Sequence, residues 1–335
     1  MSQSIAAEVR AATTWPSDGS AQFWFDESEV VHVVTADCYD VLPSLPVNTV
    51  DCVITSPPYW GLRTYGLDHH TDVLSEWKSM SSSKSVAIQE RIVSAPGYDW
   101  YRQNGGVLGL EPYPEWFVLH LVEIFKRLRP SLKVSANLWV NLGDTYFARW
   151  SSIRPEGRQG LGKGERIRRR TPSGGWLHDK QLLMIPARFA IAMQSAGWIL
   201  RNDLIWHKPD ALPRPVGDRL RLTHEHFYHF VQRSQGRRPT YYYDSAGIET
   251  GAYDVVSVRT GRARDGHSAI LPEALITPRI TSSCPPGGLV LDPFCGTGSV
   301  LEAALKLGRR ALGIEISEPY ARAAREHASI HAKSR

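Results

Sequence analysis

No run of about 18 apolar residues occurs anywhere in the 335-residue chain, and the polar, alanine-rich start from Met1 to Asp18 has no signal-peptide core. A soluble, cytoplasmic protein with no membrane partner is therefore expected. Cysteine is scarce: Cys38, Cys52, Cys284 and Cys295 show no metal-ligand spacing. Neither a zinc site nor a disulfide framework is expected, and the histidines (His69, His70, His224, His226, His229) suggest no metal either. The last three read instead as one face of a strand. Internal repeats are absent, and a content of 42% apolar residues is that of a globular chain.

What is present is an excess of positive charge. The formal net charge is +5, which favours a polyanionic partner. The excess is concentrated between Arg154 and Arg170, where Arg154, Arg158, Lys163, Arg166, Arg168, Arg169 and Arg170 face only Glu156 and Glu165. Glycines and charges deny this segment a packed core. A mobile, phosphate-contacting loop is expected.

The chain is organised around Thr55-Ser56-Pro57-Pro58-Tyr59-Trp60. The preceding run Val50-Asp51-Cys52-Val53-Ile54 reads as a buried parallel strand, and two prolines end it in a rigid, extended loop. Ligands gather at such carboxyl ends of strands in open α/β sheets.

Around this stretch, residues 1–28 read as a leader and Val30–Val34 as a strand ending at Asp37-Cys38. Residues 61–112 lack a sustained period and form an insert. Pro114 opens a helix with an apolar face, Ala136–Val140 is a strand, Lys180–Ala196 a second helix, and Trp198–Trp206 and His224–Gln232 two more strands. Residues 29–335 are thus expected to form one domain carrying the insert, a basic loop at 146–178, target-recognition loops at 208–264 and a cofactor block at 267–325.

That block holds a strand (Leu289-Val290-Leu291), the turn Asp292-Pro293-Phe294-Cys295-Gly296-Thr297-Gly298-Ser299, a helix, and a strand ending in Glu315. This is a nucleotide-binding half-fold, but the third glycine of G-x-G-x-x-G is missing. Asp292 directly before the turn suits an amino or sulfonium group better than a pyrophosphate, and Glu315 can accept both ribose hydroxyls. S-adenosylmethionine is read over a dinucleotide.

An exocyclic base amine is a poor nucleophile because its lone pair is delocalised into the ring. Accepting both amine hydrogens, at the Ser56 hydroxyl and the Pro57 carbonyl, would localise that pair. Tyr59 would stack on a base flipped from the duplex.

Together, Thr55-Ser56-Pro57-Pro58-Tyr59 and Asp292-Pro293-Phe294-Cys295-Gly296-Thr297-Gly298 resemble the amino-group DNA methyltransferases, which form N4-methylcytosine or N6-methyladenine. With the catalytic motif first, the order is similar to the circularly permuted β arrangement. The resemblance covers roughly residues 30–325. It implies a Rossmann-like, seven-stranded methyltransferase sheet with inserted DNA-binding loops, in which the strands ending at Leu291 and Thr55 are neighbours.

The resemblance further implies that Ser56, Pro57, Pro58 and Tyr59 are catalytic. Asp292, Phe294, Gly296, Thr297, Gly298, Glu315 and Ile316 would bind the cofactor with Asp37 and Cys38, and the helix in His267–Ile280 would close over its methionine end. Serine at the head of the motif leans towards cytosine N4, with adenine N6 the alternative; RNA, a protein amide, or DNA binding without catalysis are the remaining readings. Double-stranded DNA is the implied partner, met by Arg63, Lys208 and the basic loop. A cognate restriction endonuclease on the same site is a further implied partner, and the enzyme would work as a monomer or homodimer.

Overall fold

The computed structural model describes residues 30–61, 95–147, 176–211, 217–233, 238–245, 253–261 and 270–332, with the backbone alone of 150–153 and 167–170. The described residues fall into two compact units. One is drawn from Pro58–Lys126 and Gly143–Ala196, the other from Val9–Pro57, Arg127–Leu142 and Gly197–Arg335. The chain passes from the second to the first between Pro57 and Pro58.

The second unit is built on one sheet. Its strands are β1 (Val31–Thr35), β2 (Val50–Thr55), β3 (Leu132–Leu142), β6 (Trp198–His207), β7 (His224–Gln232), β8 (Val255–Ser257), β9 (Leu289–Asp292) and β10 (Arg310–Glu315), in the order β1-β10-β9-β2-β3-β7-β6-β8. From β1 to β3 every neighbouring pair is parallel, and β7 is antiparallel to both of its neighbours. The strands ending at Thr55 and beyond Leu291 are adjacent, as expected, with Cys52 opposite Val290 and Val53 opposite Leu291. The seven expected strands are joined by an eighth, β8, a three-residue edge strand parallel to β6. Three residues, Val255, Val256 and Ser257, are too short a run to read as a strand from sequence.

β2 is buried along its whole length, which is why it reads as a continuous apolar run. From β9 the chain turns to β10 on one side, and from β2 to β3 on the other. The β9–β2 junction is therefore the topological switch point, where open sheets of this kind bind ligands. Two carboxylates bracket it. At the amino end, Asp51 Oδ2 accepts from Leu289 N (2.9 Å) and Oδ1 from Lys133 Nζ (2.8 Å). At the carboxyl end, Thr55 Oγ1 donates to Asp292 Oδ1 (2.6 Å).

Helices α5 (Glu273–Ser283), α6 (Ser299–Lys306) and α7 (Glu318–Ala332) complete this unit, with α1 (Cys38–Val41) behind β1. α5 and α6 bury Leu275, Ile276, Ile280, Leu301 and Leu305 in a cluster with Cys52, Ile54 and Trp139. Gly313 of β10 allows close packing: a Cβ there would stand 2.7 Å from Leu301 Cδ1 and 2.8 Å from Cys295 Sγ.

The first unit holds α2 (Tyr98–Gln103), α3 (Pro114–Leu128), which continues past Lys126, and α4 (Ile185–Ser195). α2 is a short helix near the end of the stretch expected to be irregular across 61–112, of which residues 62–94 lie outside the described residues. α4 begins five residues later than the apolar spacing suggests. Lys180 and Met184 take left-handed backbone, and Lys180, Gln181 and Leu183 exchange backbone bonds with Thr145 and Phe147. The basic loop also differs from expectation, since β4 (Trp150–Ile153) and β5 (Ile167–Arg170) pair as an antiparallel ribbon. Backbone hydrogen bonding orders its ends without needing a core. No described helix is long and apolar enough to cross a membrane.

Candidate active site

The second unit brings the expected cofactor residues to the carboxyl ends of neighbouring strands. Thr35 of β1 lies opposite Glu315 of β10, and Gly313 opposite Asp292 of β9. Asp292 is 3% exposed, and its Oδ1 accepts from Thr55 Oγ1 and from Phe294 N (3.0 Å). Burial pushes its carboxyl up to about 7, against the lowering effect of those hydrogen bonds.

The turn that follows needs glycine. Gly296 and Gly298 have φ of 51° and 90°, and a Cβ on Gly298 would stand 3.1 Å from Ala324 Cα. Glu315 closes the turn from the next strand, with Oε2 accepting from Gly296 N and Oε1 from Ser317 N, both at 2.9 Å. Burial raises its carboxyl also. Thr297 is buried and Ile316 half-buried beside these groups, and the Thr297 carbonyl meets His327 Nδ1 at 3.0 Å. Asp37 caps α1 by accepting from Tyr39 N (2.9 Å), and Cys38 is buried in that helix.

These groups fit the cofactor that the sequence suggests. Two buried carboxylates, both held above their ordinary range by burial, stand on adjacent strands and would gain from a cationic or hydroxyl-bearing ligand. The glycine turn between them carries no side chain at Gly296 or Gly298. The expected helix in His267–Ile280 is α5, starting at Glu273; the preceding residues 262–269 lie outside the described residues.

Ser56 is half-buried and Pro57 buried at the end of β2 in the same unit. Pro58 and Tyr59, both half-buried, belong to the other unit and are followed by a tightly held pair. Trp60 Nε1 donates to the Glu111 carbonyl (3.0 Å), and Gly61 N donates to the Gly109 carbonyl (2.6 Å).

Of the DNA-binding candidates, Arg63, Arg158, Lys163 and Arg166 lie outside the described residues. Arg168, Arg169 and Arg170 are on β5. Lys208 is paired with Glu225 and sits over the Trp206 ring, 4.4 Å from its centroid. Among the described residues no group of histidine, cysteine and carboxylate side chains could hold a metal ion. The histidines of β7 do not share one face. His226 pairs with Asp203 at 2.9 Å, whereas His229 is buried and stacked on Trp139 with centroids 4.3 Å apart. An odd and an even position point to opposite sides of a strand.

Two groups of site residues were not foreseen. Thr55 stands inside the motif, yet its bond to Asp292 spans 237 residues. The buried pair of Glu111 and His120, 2.9 Å apart, supports the loop after Tyr59, and its only signal was a glutamate within the apolar stretch from Leu108 to Tyr113.

A parallel sheet with one antiparallel strand, a glycine turn and a serine-proline-proline-tyrosine loop define a nucleotide-dependent α/β transferase. The model of the DNA methylase family that modifies N6 and N4 amines matches residues 50–326, and the chain belongs to this family of S-adenosylmethionine-dependent, amino-group DNA methyltransferases.

Among its relatives, the Type II methyltransferase M.SmaI of Serratia marcescens is 32% identical over 304 residues, covering 88% of this chain and 89% of the relative. The Type II methyltransferase M.Cfr9I of Citrobacter freundii is 32% identical over 292 residues, 85% of this chain and 83% of its own. The solved PvuII DNA methyltransferase, described as cytosine-N4-specific, shares the fold with a TM-score of 0.59 at 15% identity, covering 91% and 92% of the two chains. A putative DNA modification methylase of Thermus thermophilus, solved with S-adenosyl-L-methionine, has a TM-score of 0.53 at 21% identity over 91% and 96%.

Proposed function

We propose that this protein is a Type II, site-specific DNA methyltransferase that methylates the N4 amine of a cytosine flipped out of double-stranded DNA. The observation that carries the reading is the Thr55–Asp292 hydrogen bond at the switch point. It ties the strand leading into Ser56 and Pro57 to the strand leading into the glycine turn. Serine at the head of the motif, and the cytosine-N4 description of the PvuII enzyme, support cytosine.

Bound S-adenosylmethionine supplies an electrophilic methyl group. Asp292 would hold its ammonium end, Glu315 its ribose hydroxyls and Asp37 its adenine amine, with Cys38, Thr297 and Ile316 beside them. Phe294 would offer an aromatic face to its positive charge. The Ser56 hydroxyl and the Pro57 carbonyl accept the two hydrogens of the target amine, which concentrates its lone pair on nitrogen. Tyr59 stacks on the extruded base and offsets part of the few kcal/mol that flipping costs.

This mechanism uses no covalent enzyme intermediate. The thiols agree, since burial pushes Cys284 up to about 12 and Cys52 and Cys295 well above their ordinary value. The thiolate addition required for C5-cytosine chemistry would be opposed at each. Arg63, Lys208 and the basic ribbon would contact phosphates, and the expected biological setting is a pair with a restriction endonuclease of the same site.

The test is to incubate the protein with unmethylated DNA and S-adenosylmethionine, digest to nucleosides and identify the product by mass spectrometry. N4-methylcytosine is expected. N6-methyladenine would overturn the base but keep the mechanism, and an unmodified DNA would overturn the substrate.

A further inference from the structure

Glu111 is 0% exposed and His120 1%, and neither belongs to the sequence motifs. His120 reaches from α3 to two neighbours, with Nδ1 2.9 Å from Glu111 Oε1 and Nε2 3.0 Å from the Pro96 carbonyl. Both are acceptors, so a neutral imidazole would leave one of them facing a lone pair. His120 is otherwise enclosed by the rings of Tyr98 and Tyr101 at 5.4 and 4.9 Å, while Glu123, one turn along α3, is engaged by the Tyr98 amide.

The other side of Glu111 faces the catalytic loop. Its Oε2 accepts from Gly109 N (2.8 Å), its carbonyl accepts the Trp60 indole, and the Gly109 carbonyl accepts Gly61 N. Gly109 has φ of 89°, and a Cβ on it would stand 3.1 Å from the Tyr59 carbonyl oxygen. One residue therefore fixes the two positions after Tyr59, and a buried histidine fixes that residue. All of these groups lie within one unit.

We infer that Glu111 and His120 are positioning residues for the tyrosine loop: the buried, hydrogen-bonded pair fixes where Tyr59 presents its ring, without touching substrate or cofactor. This rests on the proposed role of Tyr59 in base stacking. A loop that wanders by about 1 Å loses on the order of a hundredfold in rate. Cofactor affinity, which resides in the other unit's carboxylates, should be spared.

Two substitutions at one position separate this from a plain folding role. Glu111→Gln can keep both of these side-chain hydrogen bonds, its amide oxygen accepting from Gly109 N and its N–H donating to His120 Nδ1. Glu111→Ala removes both. Turnover of the alanine variant should fall about a hundredfold with S-adenosylmethionine affinity within about twofold of the parent, and the glutamine variant should restore turnover to within about threefold. Trp60→Phe, which removes the indole bond together with part of a buried ring, should lower turnover several-fold even if the alanine variant does not fold.

An activity-independent readout is the 19F resonance of 5-fluorotryptophan at position 60, assigned with Trp60→Phe. It should broaden or shift in Glu111→Ala and return in Glu111→Gln. Undiminished turnover in the alanine variant, parallel loss of cofactor affinity, or an unmoved Trp60 resonance would each overturn the inference. If the parent protein methylates no DNA, the proposed function fails instead, and the resonance alone decides the positioning role.

Discussion

Asp292 illustrates how a single buried group couples ligand and proton. Its ordinary value is 3.8 and burial lifts it to about 7. The folded, cofactor-free protein therefore keeps a proton that the unfolded chain releases near pH 4. Stability from this group is greatest below pH 4 and falls as pH rises towards 7, by roughly 4 kcal/mol in total. A cationic ligand favours the carboxylate, so its binding expels the proton. S-adenosylmethionine affinity measured by calorimetry should rise about fivefold from pH 6 to pH 7, with proton release, and Asp292→Asn should flatten that dependence. Ser56 and Tyr59 should behave differently. Alanine at either position should remove most turnover in a single-turnover assay while leaving cofactor affinity nearly intact, and equal loss of affinity in both variants would refute their assignment to the base.

At the level of elements, the β9–β2 junction carries, beside its short ladder, a carboxylate hydrogen bond at each end. Asp51→Ala would leave Leu289 N buried without an acceptor and Lys133 without its partner, a loss of roughly 2–3 kcal/mol readable as a lower urea midpoint. Gly313→Ala should cost about 1–3 kcal/mol for a different reason, since its methyl has no room between Leu301 and Cys295. These same elements show what could be read in advance. β2, β9 and β3 from Ala136 onward are buried runs with strong local signals, and the proline pair and the glycine turn mark where β2 and β9 stop. The ribbon of β4 and β5 carries the sequences Trp-Ser-Ser-Ile and Ile-Arg-Arg-Arg, which have no common period, and its pairing depends on residues that meet only across the excursion between them. Thr55 with Asp292, and Glu111 with His120, are contacts chosen by the folded topology. Local pattern carries no trace of the first, and for the second it offers only one acid among apolar neighbours.

For the molecule as a whole, the relevant quantity is the distribution of a net charge of +5. A DNA-binding face made of a few cationic side chains on phosphates predicts an affinity that falls steeply with salt, because each neutralised phosphate releases condensed counterions. The run Arg168-Arg169-Arg170 is a suitable place to test this, since it belongs to a ribbon and to none of the motif loops. Replacing all three with glutamine should weaken binding to cognate and scrambled duplexes by similar factors. The slope of log affinity against log salt should become shallower by about 0.9 for each phosphate no longer neutralised, hence by at most about three units. Fluorescence anisotropy between about 50 and 200 mM salt would measure both. Unequal weakening of the two duplexes would mean that the ribbon reads bases, and an unchanged slope would remove it from the interface altogether. The uniform result would leave sequence discrimination to loops other than this ribbon.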